Sequence, residues 1–158
     1  MSLLNRRLIL LGGLATAGCQ FAPVYSDRND LWGAFAFTAP KNRLGFVLKQ
    51  RLEDRMGQPQ SPRYDVALSL SNSLQRNAIT ADGTTTRFKV FGTVSYTLKP
   101  FQTKTVLHNG TVNSFTSYSN TGTTVANTTA RQDASDRLMS LLADQLVARL
   151  YALGPSLT

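Results

Sequence analysis

Hydrophobic and polar residues change rhythm several times along this chain, and each change marks an element. Leu31 to Thr38 (Leu-Trp-Gly-Ala-Phe-Ala-Phe-Thr) is rich in aromatics and suits a first strand. Pro40 follows, where a first helical residue tolerates the missing N–H. Leu44, Val47, Leu48, Leu52 and Met56 then recur at helical spacing, with Lys49, Arg51, Glu53, Asp54 and Arg55 on the other sides. This predicts an amphipathic helix stopped at Gly57, with Pro59 just beyond. From Tyr64 to Ser71 the period drops to two, with Val66, Leu68 and Leu70 against Asp65, Ala67 and Ser69. Asp82-Gly83 is a turn pair, so the strands flanking it are expected to form a hairpin. Thr85 to Leu98 alternates most clearly: Phe88, Val90, Val94, Tyr96 and Leu98 oppose Arg87, Lys89, Thr93, Ser95 and Thr97, and Phe91 breaks the rule. Thr103 to Tyr118 is expected as a fourth strand, with Val106, Val112 and Tyr118 in phase and a bulge at Asn109-Gly110. After a polar loop, Leu138, Leu141, Leu142, Leu146 and Leu150 define a long helix from about Ala126 to Leu153, ended by Gly154-Pro155.

Two amphipathic helices and about four strands must bury their apolar stripes against each other. The economical solution is an α+β fold: a mainly antiparallel, roughly four-stranded sheet with both helices packed on one face. Its other face, with Arg87 and Lys89, is then left open.

The start of the chain is of another kind. Arg6-Arg7, the apolar run Leu8 to Leu14 and the small residues up to Gly18 are the parts of an export signal. The run is too short to span a bilayer, which takes about 20 residues. The only cysteine, Cys19, stands directly after it, as in the lipobox of bacterial lipoproteins, where the thiol takes a lipid and becomes the new N-terminus. Thr16 stands where such boxes usually carry leucine, so an ordinary signal with an incidental cysteine is the alternative. Gln20, rather than aspartate, after the cysteine points to the outer membrane. The 158 residues thus divide into a signal peptide over 1–18, a lipid-anchored tether over 19–30 and a single domain over 31–158.

Charge narrows the partners. The net charge is +8, or about +6 without Arg6 and Arg7, and the basic residues are scattered along the chain. Nucleic-acid binding would want a basic stripe or a known motif, and neither occurs. For an exported lipoprotein the natural anions are lipid phosphates and the phosphorylated heads of lipopolysaccharide, with a merely solvated surface as the plainer alternative.

Candidate chemistry is sparse. One histidine, His108, and one cysteine cannot supply a typical zinc set. No Gly-x-Ser-x-Gly elbow and no phosphate loop occur. Asp133 and Asp136 share a face near the start of the last helix, where they favour its dipole. This pattern predicts a protein that is not an enzyme and holds no cofactor beyond lipid on Cys19 and no metal.

Three strings, in order behind the lipobox, then carry a family resemblance. They are Gly18-Cys19-Gln20-Phe21-Ala22-Pro23-Val24-Tyr25; Thr105 to Val112 with Thr116-Ser117-Tyr118; and Ala130 to Ala134 running on to Leu142–Leu150. The chain resembles the LPS-assembly lipoprotein family (LptE), particularly its alphaproteobacterial branch. The resemblance implies a partner rather than a reaction: the lipoprotein sits in the lumen of the large LptD-like β-barrel, helps it assemble, plugs it, and supports lipopolysaccharide transport and insertion at the outer membrane. It also implies contact with lipopolysaccharide through basic residues in the turn after the second strand and at the start of the last helix. Those places hold Ala81 and Asn127 here, so the role is expected to shift to Arg76, Arg87, Lys89 and Arg131. Two other classes stay open: an auxiliary lipoprotein of a lipid-exporting ABC system, and a periplasmic hydrolase with a pocket around His108.

Overall fold

The computed structural model describes residues 31–79, 85–103, 105–120 and 122–157. The export signal, Cys19, the tether to residue 30, Ala81 and the Asp82-Gly83 turn lie outside the described residues. The elements are β1 (Phe35–Thr38), α1 (Arg43–Met56), β2 (Tyr64–Ile79), β3 (Thr85–Pro100), β4 (His108–Ser119) and α2 (Thr124–Leu153), followed by one 3₁₀ turn at Gly154–Ser156. The sheet order is β1-β2-β3-β4. β2, β3 and β4 pair antiparallel, whereas β1 runs parallel to β2, with Phe35 opposite Tyr64. Parallel neighbours need a crossover, and α1 is that crossover. The fold is the expected α+β sheet with two helices.

α1 starts later than Pro40 suggests. Asn42 is the cap, its side chain accepting from Gly45 N at 2.8 Å, and Pro40 lies two residues ahead of it. Leu48, Leu52 and Met56 are fully buried. Gly57 then takes φ 82°, a conformation that costs a residue with a Cβ. The indole of Trp32 covers it so closely that a Cβ there would stand 2.6 Å from Nε1.

α2 is capped by Thr123, which accepts from Ala126 N. It buries Ala134, Leu138, Met139, Leu142, Ala143, Leu146 and Leu150. Thr116 Oγ1 donates to Ala134 O at 2.8 Å, tying the helix to β4, and the buried Ser135 donates to Arg131 O at 2.8 Å. The helices run side by side in one direction, since Arg43 meets Asp136 at 2.7 Å and Arg55 meets Asp144 at 3.1 Å. With its amide oxygen turned to Arg43, Gln132 accepts from the same guanidinium. These pairs are half-exposed and contribute little, about 0–1 kcal/mol each. Asp133 and Asp136 are thus not dipole partners: α2 starts at Thr124, more than two turns earlier, and the dipole effect fades within the first turn. Asp133 instead pairs with Arg137 at 3.3 Å.

Strand ends differ from the sequence pattern. β1 lacks residues 31–34, and Trp32 lies outside the sheet, 60% exposed. β2 runs on past Ser71 to Ile79. β1 pairs only as far as Ala67, and β2 stays exposed on both faces from Ser71 to Asn77, so no alternation betrays it. β4 starts at His108 rather than Thr103, leaving Val106 and Leu107 exposed in the preceding loop. Its register with β3 is unbroken through Asn109 and Gly110, so the expected bulge is absent. The sheet's irregularity sits instead between Arg76 and Ile79.

Gly110 is needed for a close approach. Tyr96, fully buried, lies across it, stacks on His108 with ring centroids 5.8 Å apart, and bonds His108 Nδ1 through its hydroxyl at 3.3 Å. A Cβ on Gly110 would stand 2.7 Å from the Tyr96 oxygen. Gly110→Ala is therefore expected to destabilise by about 1–3 kcal/mol. Urea unfolding checks this: the midpoint falls while the slope stays unchanged.

Candidate partner interface

Strand pleating sends alternate side chains to opposite faces. Val66, Leu68, Val90, Val94, Tyr96, Leu98 and Val112 face the helices and form the core with them. The other face carries no helix, and its register is read in rows across β2, β3 and β4. Starting from the end where β2 begins, the rows are Asp65 and Lys99; Ala67, Thr97 and Asn109; Ser69, Ser95 and Thr111; and Ser71, Thr93 and Asn113. Beyond them come Ser73, Phe91 and Phe115; then Gln75, Lys89 and Ser117; then Arg87 and Ser119. Asp65 accepts from Thr38 Oγ1 at 3.3 Å, and the Ser95 and Thr111 hydroxyls share a hydrogen bond at 3.3 Å.

The face has three zones. One end holds the opposed pair Asp65 and Lys99. The middle is an uncharged block of nine residues, all but Ala67 carrying a hydroxyl or amide. The far end is aromatic and basic. Phe91 and Phe115 pair with centroids 5.6 Å apart, and Lys89 Nζ lies 5.3 Å from the Phe115 ring centre. Phe91, the one break in the alternation of β3, is accounted for by that pairing. Phe115 is equally out of phase with Val112 and Tyr118, which is the signal that would have found it in the sequence.

The four basic candidates are divided between two faces. Arg87 and Lys89 share the open face. Arg76 stands opposite Phe88 on the helix side, and Phe88 stacks on Tyr118 at 5.2 Å. Arg131 is exposed on α2, on that same side of the sheet. A single anion could meet Arg87 and Lys89 together, but not all four.

The His108 ring is engaged by Tyr96. An open cleft of about 810 Å³ lies instead beside the loop after α1, lined by Trp32, Gly57, Gln58, Gln60 and Arg63 among others. Among the described residues, no group of three His, Cys, Asp or Glu could hold a metal ion, and no helix is long and apolar enough to cross a membrane.

Comparison with known proteins follows the same line. Residues 33–150 match the profile of the lipopolysaccharide-assembly family LptE. No curated protein sequence matches the chain. Among solved structures, the fold is similar to a candidate lipoprotein from Caulobacter crescentus, at 22% identity, TM-score 0.68, and coverage of 82% of this chain and 96% of that one. It is also similar to the rare lipoprotein B of Shewanella oneidensis, with 11% identity, TM-score 0.61 and coverage of 78% and 96%. A minor lipoprotein of Acinetobacter baumannii follows, with 16% identity, TM-score 0.56 and coverage of 75% and 88%.

Proposed function

Because the chain belongs to the lipopolysaccharide-assembly family LptE, we propose that it works as the lipoprotein plug of the LptD-like outer-membrane barrel that delivers lipopolysaccharide. The protein is held at the outer membrane, facing the periplasm, by lipid on Cys19, and it acts by fitting rather than by catalysis. The observation that carries this reading is the open sheet face. Its uncharged rows of Ser, Thr and Asn offer many donors and acceptors on short side chains, which lose little entropy when they are ordered. A wide barrel presents a polar interior, so hydrogen bonds made there replace bonds to water without stranding a charge. At the far end, Arg87 and Lys89 stand where a phosphorylated lipid head can meet two cations on one face.

Recovery of tagged protein from detergent-solubilised outer membrane tests the plug. One large β-barrel protein is expected to accompany it, and Cys19→Ala in the same signal context is expected to lower that yield several-fold by releasing the chain from the membrane. Recovery of inner-membrane transporter components instead would favour the auxiliary role in an ABC system. For the lipopolysaccharide contact, Arg87→Glu with Lys89→Glu is expected to weaken binding of the purified protein by about tenfold or more. Arg76→Glu, on the opposite face, is the control. Unchanged binding in the double variant removes Arg87 and Lys89 from the contact.

A further inference from the structure

The end of the sheet where the chain enters the fold is built differently from the rest of the surface. Four strand ends lie there in a row, laced by backbone hydrogen bonds. Gly33 N donates to Met56 O at 2.7 Å, Arg63 N to Ala34 O at 2.8 Å, Phe101 N to Arg63 O at 2.8 Å and Leu107 N to Leu98 O at 2.9 Å. With strands about 4.8 Å apart, the row is about 15 Å wide. Four large apolar side chains project from it into solvent: Trp32 (60% exposed), Phe101 (54%), Val106 (47%) and Leu107 (46%). Among the described residues, the other exposed large apolar ones, Phe46, Leu74, Phe115, Val125 and Leu141, are dispersed over the helices and the sheet. The grouping at one rim is therefore not the usual scatter of surface hydrophobics.

We infer that, before the chain joins its barrel, this rim docks into the phospholipid leaflet to which Cys19 anchors the chain. The inference rests on the lipid anchor of the reading above and extends it. The occupant follows from where the chain leads. Cys19 lies twelve residues before Leu31, so the tether reaches at most about 40 Å, and it starts from the rim itself, beside Trp32. Arg76 and Arg87 lie twelve and thirteen residues along their strands from this end, about 40 Å away, where only a fully stretched tether would reach. The side chains also suit the site. An indole settles at the boundary of headgroups and acyl chains, and Phe, Val and Leu enter the layer below it. Lys99, just before the end of β3, and Arg63, whose carbonyl accepts from Phe101 N, complement lipid phosphates. The acyl chains hold the protein at the membrane. The rim sets its orientation, standing β2, β3 and β4 up from the leaflet with the open face to the side and Lys89 toward the far end.

Trp32 is the only tryptophan and so reports directly. The lipoprotein, purified as the cell processes it, is reconstituted into phosphatidylethanolamine–phosphatidylglycerol vesicles carrying bromine at defined acyl depths. Trp32 emission is expected to shift to the blue and to be quenched most by the shallowest bromine. In Phe101→Ser/Val106→Ser/Leu107→Ser the chain stays with the vesicles through its lipid and keeps its thermal midpoint, while quenching falls by about fivefold or more. An unquenched Trp32 in the unaltered chain overturns the inference, as does quenching that the triple variant leaves unchanged. A chain that does not remain with the vesicles overturns it too, and mass analysis of Cys19 then shows whether the acyl group was missing. The vesicles contain no barrel, so the result is independent of the plug reading. The triple variant is expected to recover the barrel protein as before.

Discussion

Replacing Leu142 with alanine is expected to lower the unfolding free energy by about 2–5 kcal/mol, toward the upper part of that range. Leu142 is fully buried on α2 and lies over β3 where that strand has no side chain: a Cβ built on Gly92 would stand 2.9 Å from Leu142 Cδ1 and 3.0 Å from Leu138 Cδ2. The cost of a truncation depends on how far the surroundings collapse into the space it leaves. A glycine opposite has nothing to move in, so the cavity stays. Gly92→Ala alone overpacks the same spot and is expected to cost about 1–3 kcal/mol. In the Leu142→Ala background its methyl group enters vacated space, so the double variant is expected to be more stable than the sum of the two losses. The coupling is about 0.5–3 kcal/mol. Urea unfolding of the four proteins measures it. Simple additivity would show that α2 does not rest on Gly92 in solution.

The second large effect concerns recognition. Phe91→Asp with Phe115→Asp is expected to cut recovery of the barrel partner by more than tenfold. Phe115 is 54% exposed and Phe91 half-buried, so these rings do little for the core, and their pairing contributes about 0.5–1.5 kcal/mol. At an interface, aromatic anchors carry a disproportionate share of the affinity, and a carboxylate buried in their place lacks a partner. Lys89, which now lies over Phe115, would partly offset one of the new charges, so adding Lys89→Ala is expected to deepen the loss. A double variant that unfolds at nearly the original urea midpoint yet recovers no barrel separates recognition from folding. Full recovery would take the aromatic end of the face out of the interface.

Much of this architecture is legible in the chain itself. The helical period of Leu44 to Met56 and of Leu138 to Leu150 sets two helices with one apolar stripe each. The strict alternation of Phe88 to Leu98 sets a strand with one wet face, and two helices with a few such strands leave α+β as the economical packing.

Tertiary structure decided what periodicity cannot carry. A period reports that a side chain is covered, not by what. The parallel pairing of β1 with β2 came from the crossover through α1. The length of β2 came from β3, which pairs with it beyond the reach of β1 and α1, where both faces are wet and no period survives. Phe91 found its reason only once register placed Phe115 opposite it. Arg76 was parted from Arg87 and Lys89 by the pleat, and Trp32 was brought to the same end of the sheet as Phe101 and Leu107, far off in sequence, by the row of strand ends. Local pattern determines which elements form, because helix and strand periods are properties of neighbouring residues. Pairing register determines which residues share a surface, because that depends on contacts between distant parts of the chain.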